Sequence, residues 1–421
     1  ELALEAGWVV DASGREKVLA RRLGLARANP IHHGTSFCWV DGLVNIEKLT
    51  DLSPKEIRLR RDRSALGHLP AFLATNHFCG EGFWFWVIPL HTRTSLGLVY
   101  DNRLFSAERV STAQKLVEWA CEEFPLFARD LPHREIVSQG SFKSFSYDCA
   151  QTISPQRWAL TGEAGRFTDP LYSPGGDLIS IYNTLITDAI LARDQEELST
   201  KCRLYEPLMK AVYEAYVPSF AVSYDVLGDQ EAMTLKYSWE LAIYFSFYVF
   251  PFINDLFTEP RFVAGFFRRF AQLGPINRAV HDFVSAFYQW KKSNLKPGHG
   301  PLFNDFSDIG ALRRAEECFY EVGVTVDEAK QSLDRSFANL EEMARFIVAH
   351  VCSVVTGDDR VLASKAFVEG VDLAHVTFDA EQINKRWDAC AASDEIYEWP
   401  FDSRTLSRFA YGAAQESGGG Q

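Results

Sequence analysis

A short stretch rich in glycine and proline constrains this chain more than any other feature. It covers residues 162–177 and has the sequence GEAGRFTDPLYSPGGD. The apolar residues 158–160 before it predict the end of a buried strand, and the apolar pattern from Leu178 onward predicts a helix. Glycines in such a turn let the backbone approach a bound group, and the free N–H groups of a helix start can bind an anion or a polar ring edge. That chemistry suits a nucleotide cofactor, although an ordinary strand–helix turn has a similar composition.

Two spaced motifs narrow these alternatives. Inside the turn, the motif F-x-x-P-x-x-S-x-x-G is matched by Phe167, Pro170, Ser173 and Gly176. Upstream, residues 84–89 have the sequence WFWVIP and match W-x-W-x-I-P. With both motifs in this order, the sequence resembles the flavin-dependent halogenases, the tryptophan halogenase-like family of FAD-dependent oxidoreductases, over roughly residues 1–195.

The resemblance implies a function and a set of partners. Members of that family use FAD, reduced by a separate flavin reductase, together with oxygen and a halide ion. Hypohalous acid forms and reaches an electron-rich aromatic substrate, which is either a free small molecule or is carried on a protein. The implied function is therefore an FADH2-dependent halogenase. An FAD-dependent monooxygenase that hydroxylates an aromatic ring, and a non-catalytic flavoprotein module that depends on a partner, remain open as alternatives.

The resemblance also assigns site residues. The implied FAD contacts are Asp11, Gly14, Gly162, Glu163, Phe167, Asp169, Pro170, Gly175 and Gly176. The implied halide donors are the N–H groups of Gly175 and Gly176. The implied wall of the substrate tunnel comprises Trp84, Trp86, Ile88, Pro89, Tyr172 and Ser173. The family's catalytic lysine belongs to an N-terminal section that precedes the residues matched here, so no catalytic residue is assigned.

Three departures from the family pattern concern the chemistry. Pro174 lies where the family offers a backbone N–H to the halide, and proline has none. Glu163 replaces the aspartate that many relatives carry after the glycine. Tyr172 lies where tryptophan-halogenating relatives use an acid, and we expect it to form a wall of the site. The first departure favours oxygen transfer over halogenation.

The sequence contains no G-x-G-x-x-G fingerprint, which normally opens a dinucleotide-binding fold. Instead, residues 7–15 (GWVVDASGR) predict a buried strand that runs into a turn. We expect either that the chain is the C-terminal part of a longer protein or that the family's chemistry has been lost, and we favour the first.

Charge and cysteine usage exclude several classes of protein. The formal net charge of −13 argues against a nucleic-acid partner, which would need a basic face. The 8 cysteines are scattered without metal-ligand spacing, so we expect reduced thiols, a cytoplasmic location and no metal site.

The apolar run 241–253 is too short to cross a bilayer and predicts a buried helix instead.

The expected fold class is α/β plus α, an FAD-binding oxidoreductase fold with an inserted antiparallel substrate sheet and a mainly helical C-terminal region. The expected domains are 1–190, with the substrate sheet at 25–140, and 191–421. Residues 8–10 and 158–160 should be neighbouring strands of one sheet, and residues 83–90 and 94–100 should form a hairpin. Apolar residues at helical spacing predict helices over 198–216, 238–250, 260–273, 277–290, 311–322 and 326–355.

Overall fold

The computed structural model describes residues 5–57, 70–295 and 309–403. The chain forms two compact units with a mixed α/β content. The insert unit comprises residues 30–146, and the main unit combines residues 1–29 with 147–421. Each unit has a hydrophobic core of its own. The predicted domain boundary at residue 190 falls inside the main unit and stays a prediction.

The main unit contains a small sheet that carries the glycine-rich turn. Strand β1 (Val9–Asp11) pairs in parallel with β10 (Trp158–Leu160), which pairs antiparallel with β9 (Ile153–Ser154). This confirms the prediction that the two apolar runs are neighbours in one sheet. A separate antiparallel pair joins β2 (Ala26–Arg27) to β8 (Asp148–Cys149). The parallel pairing brings the ends of β1 and β10 to the same edge, so the turns that follow them start side by side.

The insert unit is built on a five-stranded antiparallel sheet of order β4-β5-β6-β3-β7. Its strands are β3 (His33–Asp41), β4 (Asn76–Gly80), β5 (Phe83–Pro89), β6 (Arg93–Asp101) and β7 (Ile136–Phe142). The β5–β6 hairpin confirms the predicted one. Strand alternation sends Phe85 and Val87 to the face that packs against helix α3 (Ala113–Glu123), where Trp119 is buried.

Helices make up most of the main unit. They are α1 (Val18–Arg22), α4 (Pro174–Ile190), α5 (Gln195–Glu214), α6 (Val217–Ala221), α7 (Gln230–Ile243), α8 (Phe250–Ile253), α9 (Pro260–Asn294), α10 (Gly310–Phe319), α11 (Val326–Thr356), α12 (Lys365–Glu369) and α13 (Ala380–Cys390). The short helix α2 (Ile46–Leu49) belongs to the insert unit. Helix α11 begins with a capping box between Thr325 and Glu328, which satisfies donors at its first turn.

The prediction of two helices over 260–273 and 277–290 is wrong, because α9 runs through both as one helix of 35 residues. Pro275 lies inside it and removes one intrahelical hydrogen bond. Apolar residues on both sides of Pro275, among them Phe270 and Val280, are buried in the core. We attribute the continuity of α9 to burial of this face, which outweighs the lost bond.

Much of the apolar run 241–253 is buried, as predicted, although Ile253 at its end is exposed. The run passes from the end of α7 through a π-helix (Tyr244–Val249) into α8. Phe247 and Phe250 in this run are fully buried. None of the helices in the described ranges is long and apolar enough to cross a membrane.

Candidate functional site

A cavity of about 340 Å³ lies in the main unit against the glycine-rich turn. Its lining comprises Gly162, Glu163, Arg166, Phe167, Pro170, Ser173, Gly175, Gly176, Leu178, Ile179 and Tyr182. The turn and the first residues of α4 therefore fold around one space. The volume is within the range of small-molecule sites.

The floor of the cavity is fixed by hydrogen bonds between the two parallel strands and their turns. The Thr161 N–H donates to the Asp11 carbonyl at 3.0 Å, which continues the ladder beyond the strand ends. Gly162 follows with φ of +57°, a backbone conformation that glycine adopts without strain. The Tyr147 hydroxyl donates to the Glu163 carbonyl at 2.6 Å. These bonds hold the start of the turn against the sheet.

Asp11 supports the neighbouring turn. Its carboxylate accepts hydrogen bonds from the Ser13 N–H at 2.9 Å and from the Leu19 N–H at 2.6 Å. Burial raises the pKa of this carboxyl, but the bonds to Ser13 and Leu19 outweigh burial, so the pKa lies below its usual value. Gly14 has φ of +61° in the same turn. In this structure Asp11 orders the chain after β1 and does not line the cavity.

Arg166 is a residue of the turn whose buried side chain bonds to neighbouring elements. Its guanidinium donates to the Asp148 carboxylate at 2.6 Å, the Thr152 hydroxyl at 3.0 Å and the Cys149 carbonyl at 2.9 Å. The Glu206 carboxylate lies 3.5 Å away and accepts from the Thr152 N–H at 2.7 Å. Arg166 thus joins the turn to β8 and to helix α5, and these bonds fix the cavity wall formed by Phe167.

Two consecutive residues before α4 have left-handed backbone conformations. Tyr172 has φ of +65° and Ser173 has φ of +61°. The ring of Tyr172 packs on that of Tyr237, with centroids 4.6 Å apart. Upstream, the buried Asp169 carboxylate accepts from the Leu171 N–H at 2.8 Å. Neighbouring contacts thus hold a strained loop, and strain of this kind concentrates at functional sites.

The helix start offers fewer donors than its sequence implies. Pro174 has no N–H, and the Gly176 N–H donates to the Ser173 carbonyl at 3.0 Å. The Gly175 N–H makes no backbone hydrogen bond to the described residues outside α4. Since α4 has 17 residues, its dipole places partial positive charge at this end. Of the two glycines, Gly175 is therefore the one whose N–H could donate a hydrogen bond to a bound anion.

Glu163 is the acidic residue among the residues that line the cavity. The Glu163 carboxylate is about one-third exposed and forms an ion pair with Arg15 at 3.4 Å. A carboxylate in this position can accept hydrogen bonds from hydroxyl groups of a bound molecule. At Gly176, an added Cβ would meet no atom within 4 Å, so the backbone there borders open space.

The tryptophan motif lies in the insert unit. Trp84 and Trp86 occupy the sheet face opposite α3, with ring centroids 5.5 Å apart. The Trp86 indole N–H donates to the Ser95 hydroxyl at 3.0 Å. Across the strand, Gly97 gives the indole of Trp86 its space, because a Cβ there would lie 2.2 Å from that ring. The two indoles therefore form one aromatic surface on this sheet.

Comparison with curated proteins decides the relationship. The chain is 22% identical over 272 residues to the flavin-dependent halogenase chlA of Dictyostelium discoideum, covering 61% of this chain and 44% of that protein. It is 28% identical over 211 residues to tetracycline 7-halogenase of Kitasatospora aureofaciens, covering 47% and 36%. The chain is a distant relative of the flavin-dependent halogenases.

Further comparisons agree with this relationship. The 1H-pyrrole-2-carbonyl-[peptidyl-carrier protein] chlorinase of Pseudomonas fluorescens is 26% identical over 179 residues, 41% of this chain and 35% of that protein. No protein-family model matches the sequence. The chain spans less than half the length of each of these three relatives.

Solved structures of halogenases are similar to this chain only at low TM-scores. The halogenase PltM in complex with phloroglucinol and FAD matches with 17% identity and a TM-score of 0.43, covering 81% of this chain and 64% of that chain. A triple mutant of the flavin-dependent brominase Bmp2 matches with 18% identity and a TM-score of 0.35, covering 69% and 64%. Both TM-scores are below 0.5, so the relationship rests on the sequence matches.

The cavity brings together seven of the residues that the halogenase resemblance implies. They are Gly162, Glu163, Phe167, Pro170, Ser173, Gly175 and Gly176. Four other implied residues lie outside the lining of the cavity: Asp11, Gly14, Asp169 and Tyr172. Of these, Asp11, Gly14 and Asp169 support the turns around it. The implied tunnel residues Trp84, Trp86, Ile88 and Pro89 belong to β5 of the insert unit.

Sequence reasoning missed four residues of the cavity: Arg166, Leu178, Ile179 and Tyr182. Leu178 and Ile179 follow the glycine-rich turn directly. The 3.6-residue period of α4 could therefore have predicted that one of them faces the cavity. Arg166 gave no such signal, because its partners lie in β8, in the loop before β9 and in α5. Among the described residues, no group of acidic, histidine or cysteine side chains could hold a metal ion.

Proposed function

We propose that this chain carries the flavin and halide sites of an FADH2-dependent halogenase with an FAD-binding oxidoreductase fold, acting on an electron-rich aromatic substrate. The observation that carries the proposal is the cavity, which the glycine-rich turn and the start of α4 line together. The distant relationship to three halogenases supports the same chemistry.

The residues of the cavity fit part of a flavin nucleotide. Gly176 leaves space for a group close to the backbone, and the Phe167 ring and the Ile179 side chain offer apolar contact to a flat ring. The Glu163 carboxylate would accept hydrogen bonds from hydroxyl groups of the ribityl chain, exchanging its ion pair with Arg15 for them. Bound FAD, reduced by a separate flavin reductase, would supply the oxygen activation that oxidises a halide.

The halide would bind at the Gly175 N–H. This donor lies at the positive end of the α4 dipole, where anions are stabilised. Because Pro174 cannot donate and the Gly176 N–H is already bonded, the site holds a halide with fewer donors than a complete loop would. Bromide is less strongly hydrated and more easily oxidised than chloride, so we expect bromination to exceed chlorination.

A monooxygenase that hydroxylates an aromatic ring is the second candidate. The same missing donors favour it, since oxygen transfer needs a flavin site but no halide. The substrate would again be an electron-rich ring, either free or attached to a carrier protein.

Product analysis separates the two candidates. The purified protein is supplied with FAD, a flavin reductase, oxygen and an activated phenol or indole, in bromide or chloride salt. We expect mainly brominated product by mass spectrometry. Oxygenated product without halogen in either salt would assign the protein to the monooxygenases, and equally efficient chlorination would contradict the proposed weakness of the halide site.

A further inference from the structure

Asp177 lies in the first turn of α4, directly after the two glycines of the proposed halide site. Its side chain is half-buried and faces tyrosines of the helical region. The Tyr244 hydroxyl lies 3.4 Å from its carboxyl oxygen, and Tyr216 and Tyr248 interact with it electrostatically. Within the described ranges Asp177 forms no ion pair with a basic side chain, so its charge is balanced only by hydroxyl groups and the helix dipole.

A carboxylate in this position competes with a halide for the same positive end of the helix. The dipole and the uncommitted Gly175 N–H can favour one nearby negative charge. A second negative charge within the same turn is repelled, and a partly buried pair is screened less than an exposed one. Burial also raises the pKa of Asp177 to about 6, although the Tyr244 and Tyr216 hydroxyls act in the opposite direction.

We propose that Asp177 controls whether an anion can occupy the Gly175 site: its neutral acid form permits halide binding and its carboxylate form opposes it. This inference rests on the halide site proposed above. Halide and proton would then be taken up together, with the proton on the Asp177 carboxyl and the halide at the Gly175 N–H. The site would gain no net charge when it fills.

The size of the effect follows from Coulomb's law. Two unit charges within one helical turn, at the effective dielectric of a protein surface, repel strongly enough to change an affinity by about tenfold or more. We therefore expect bromide affinity to fall at least about tenfold between pH 5 and pH 7.5, with the change centred near the Asp177 pKa.

Bromide binding is measured directly by the linewidth of the bromide NMR signal during titration with purified protein, without FAD turnover. The wild type is compared with Asp177→Asn, which keeps the shape and removes the charge. Glu196→Gln is the matched control, because Glu196 is an exposed acid in the first turn of α5. Tyr244→Phe serves as a second variant, since loss of its hydroxyl should raise the Asp177 pKa and extend binding to higher pH.

The expected result has three parts. Wild type and Glu196→Gln lose bromide affinity as the pH rises, Asp177→Asn keeps it, and Tyr244→Phe loses it at higher pH than the wild type. Two results would overturn this inference but not the proposed halide site. One is bromide binding by the wild type that does not depend on pH, and the other is bromide binding by Asp177→Asn that depends on pH as strongly as in the wild type. Absence of bromide binding at every pH would overturn the halide site itself and this inference with it.

Discussion

At the residue scale, the conformations of Tyr172 and Ser173 stand out, because residues with a side chain rarely adopt positive φ. Each costs about 1–2 kcal/mol relative to ordinary backbone. The surrounding contacts hold them: Tyr172 packs on Tyr237, and Pro174 is buried with its φ fixed by the ring. Because Pro174 has no N–H, the first backbone donor after these two strained residues is Gly175, which lies at the edge of the cavity.

Replacing Ser173 with glycine should therefore stabilise the fold or leave it unchanged. Ser173→Gly relieves the left-handed strain, which offsets the greater freedom of glycine in the unfolded chain. Ser199→Gly is the control: Ser199 lies inside α5, where glycine should lower the free energy of unfolding by about 0.5 kcal/mol. Denaturant unfolding measures both. Equal destabilisation by the two variants would show that the Ser173 backbone is not strained.

Pro174→Ser tests the donor deficit at the helix start. Serine restores an N–H at the first position of α4, where it has no partner within the helix. A hydrogen bond to a charged group contributes roughly 1.5–3 kcal/mol, so chloride affinity should rise about tenfold or more. The measurement is the ratio of chlorinated to brominated product for variant and wild type. An unchanged ratio in a folded variant would contradict the role given to Pro174.

At the scale of elements, a buried charge network joins three helices of the main unit. The Lys291 ammonium on α9 donates to the Glu231 carboxylate on α7 at 2.7 Å and to Asp229, which caps α7, at 2.8 Å. His350 on α11 lies 2.7 Å from the other Glu231 oxygen. Glu231 and His350 are almost fully buried, so each depends on its partners for hydrogen bonds lost to water.

Lys291→Met should remove the cation and leave two acidic side chains without it. Breaking a buried ion pair by deleting one partner costs about 3–5 kcal/mol, so the free energy of unfolding should fall by roughly that amount. Lys385→Met breaks an exposed pair with Glu381 and should change it by less than about 1 kcal/mol. Denaturant unfolding of both variants provides the comparison. A loss below about 1 kcal/mol for Lys291→Met would show that the network contributes little.

At the scale of the whole molecule, the sequence predicted the neighbours of several strands but misjudged the length of one helix. Hydrophobic runs were enough to place β1 beside β10 and to predict the β5–β6 hairpin. Pro275 misled the prediction of α9, because core packing outweighed a local helix-breaking signal.

The candidate site shows the same limit. Seven residues around the cavity were implied by the family resemblance, because they lie in the glycine-rich turn that carries one of its motifs. The ion pairs of Arg166 could not be predicted. Its partners Asp148 and Glu206 are distant in the sequence and become neighbours only in the folded chain. The hydrogen bond from the Gly176 N–H to the Ser173 carbonyl depends on a left-handed serine that no propensity indicates.

Flavin binding tests the central claim most directly. FAD is titrated into the purified protein and its fluorescence and absorption are followed for the wild type, Gly176→Trp and Gly274→Trp. An added Cβ would meet no atom within 4 Å at either glycine, but only Gly176 borders the cavity. We predict saturable binding by the wild type and Gly274→Trp, and at least about tenfold weaker binding by Gly176→Trp with its helices intact by circular dichroism. Wild-type affinity in Gly176→Trp, or no flavin binding by the wild type, would contradict the assignment of this cavity to the flavin.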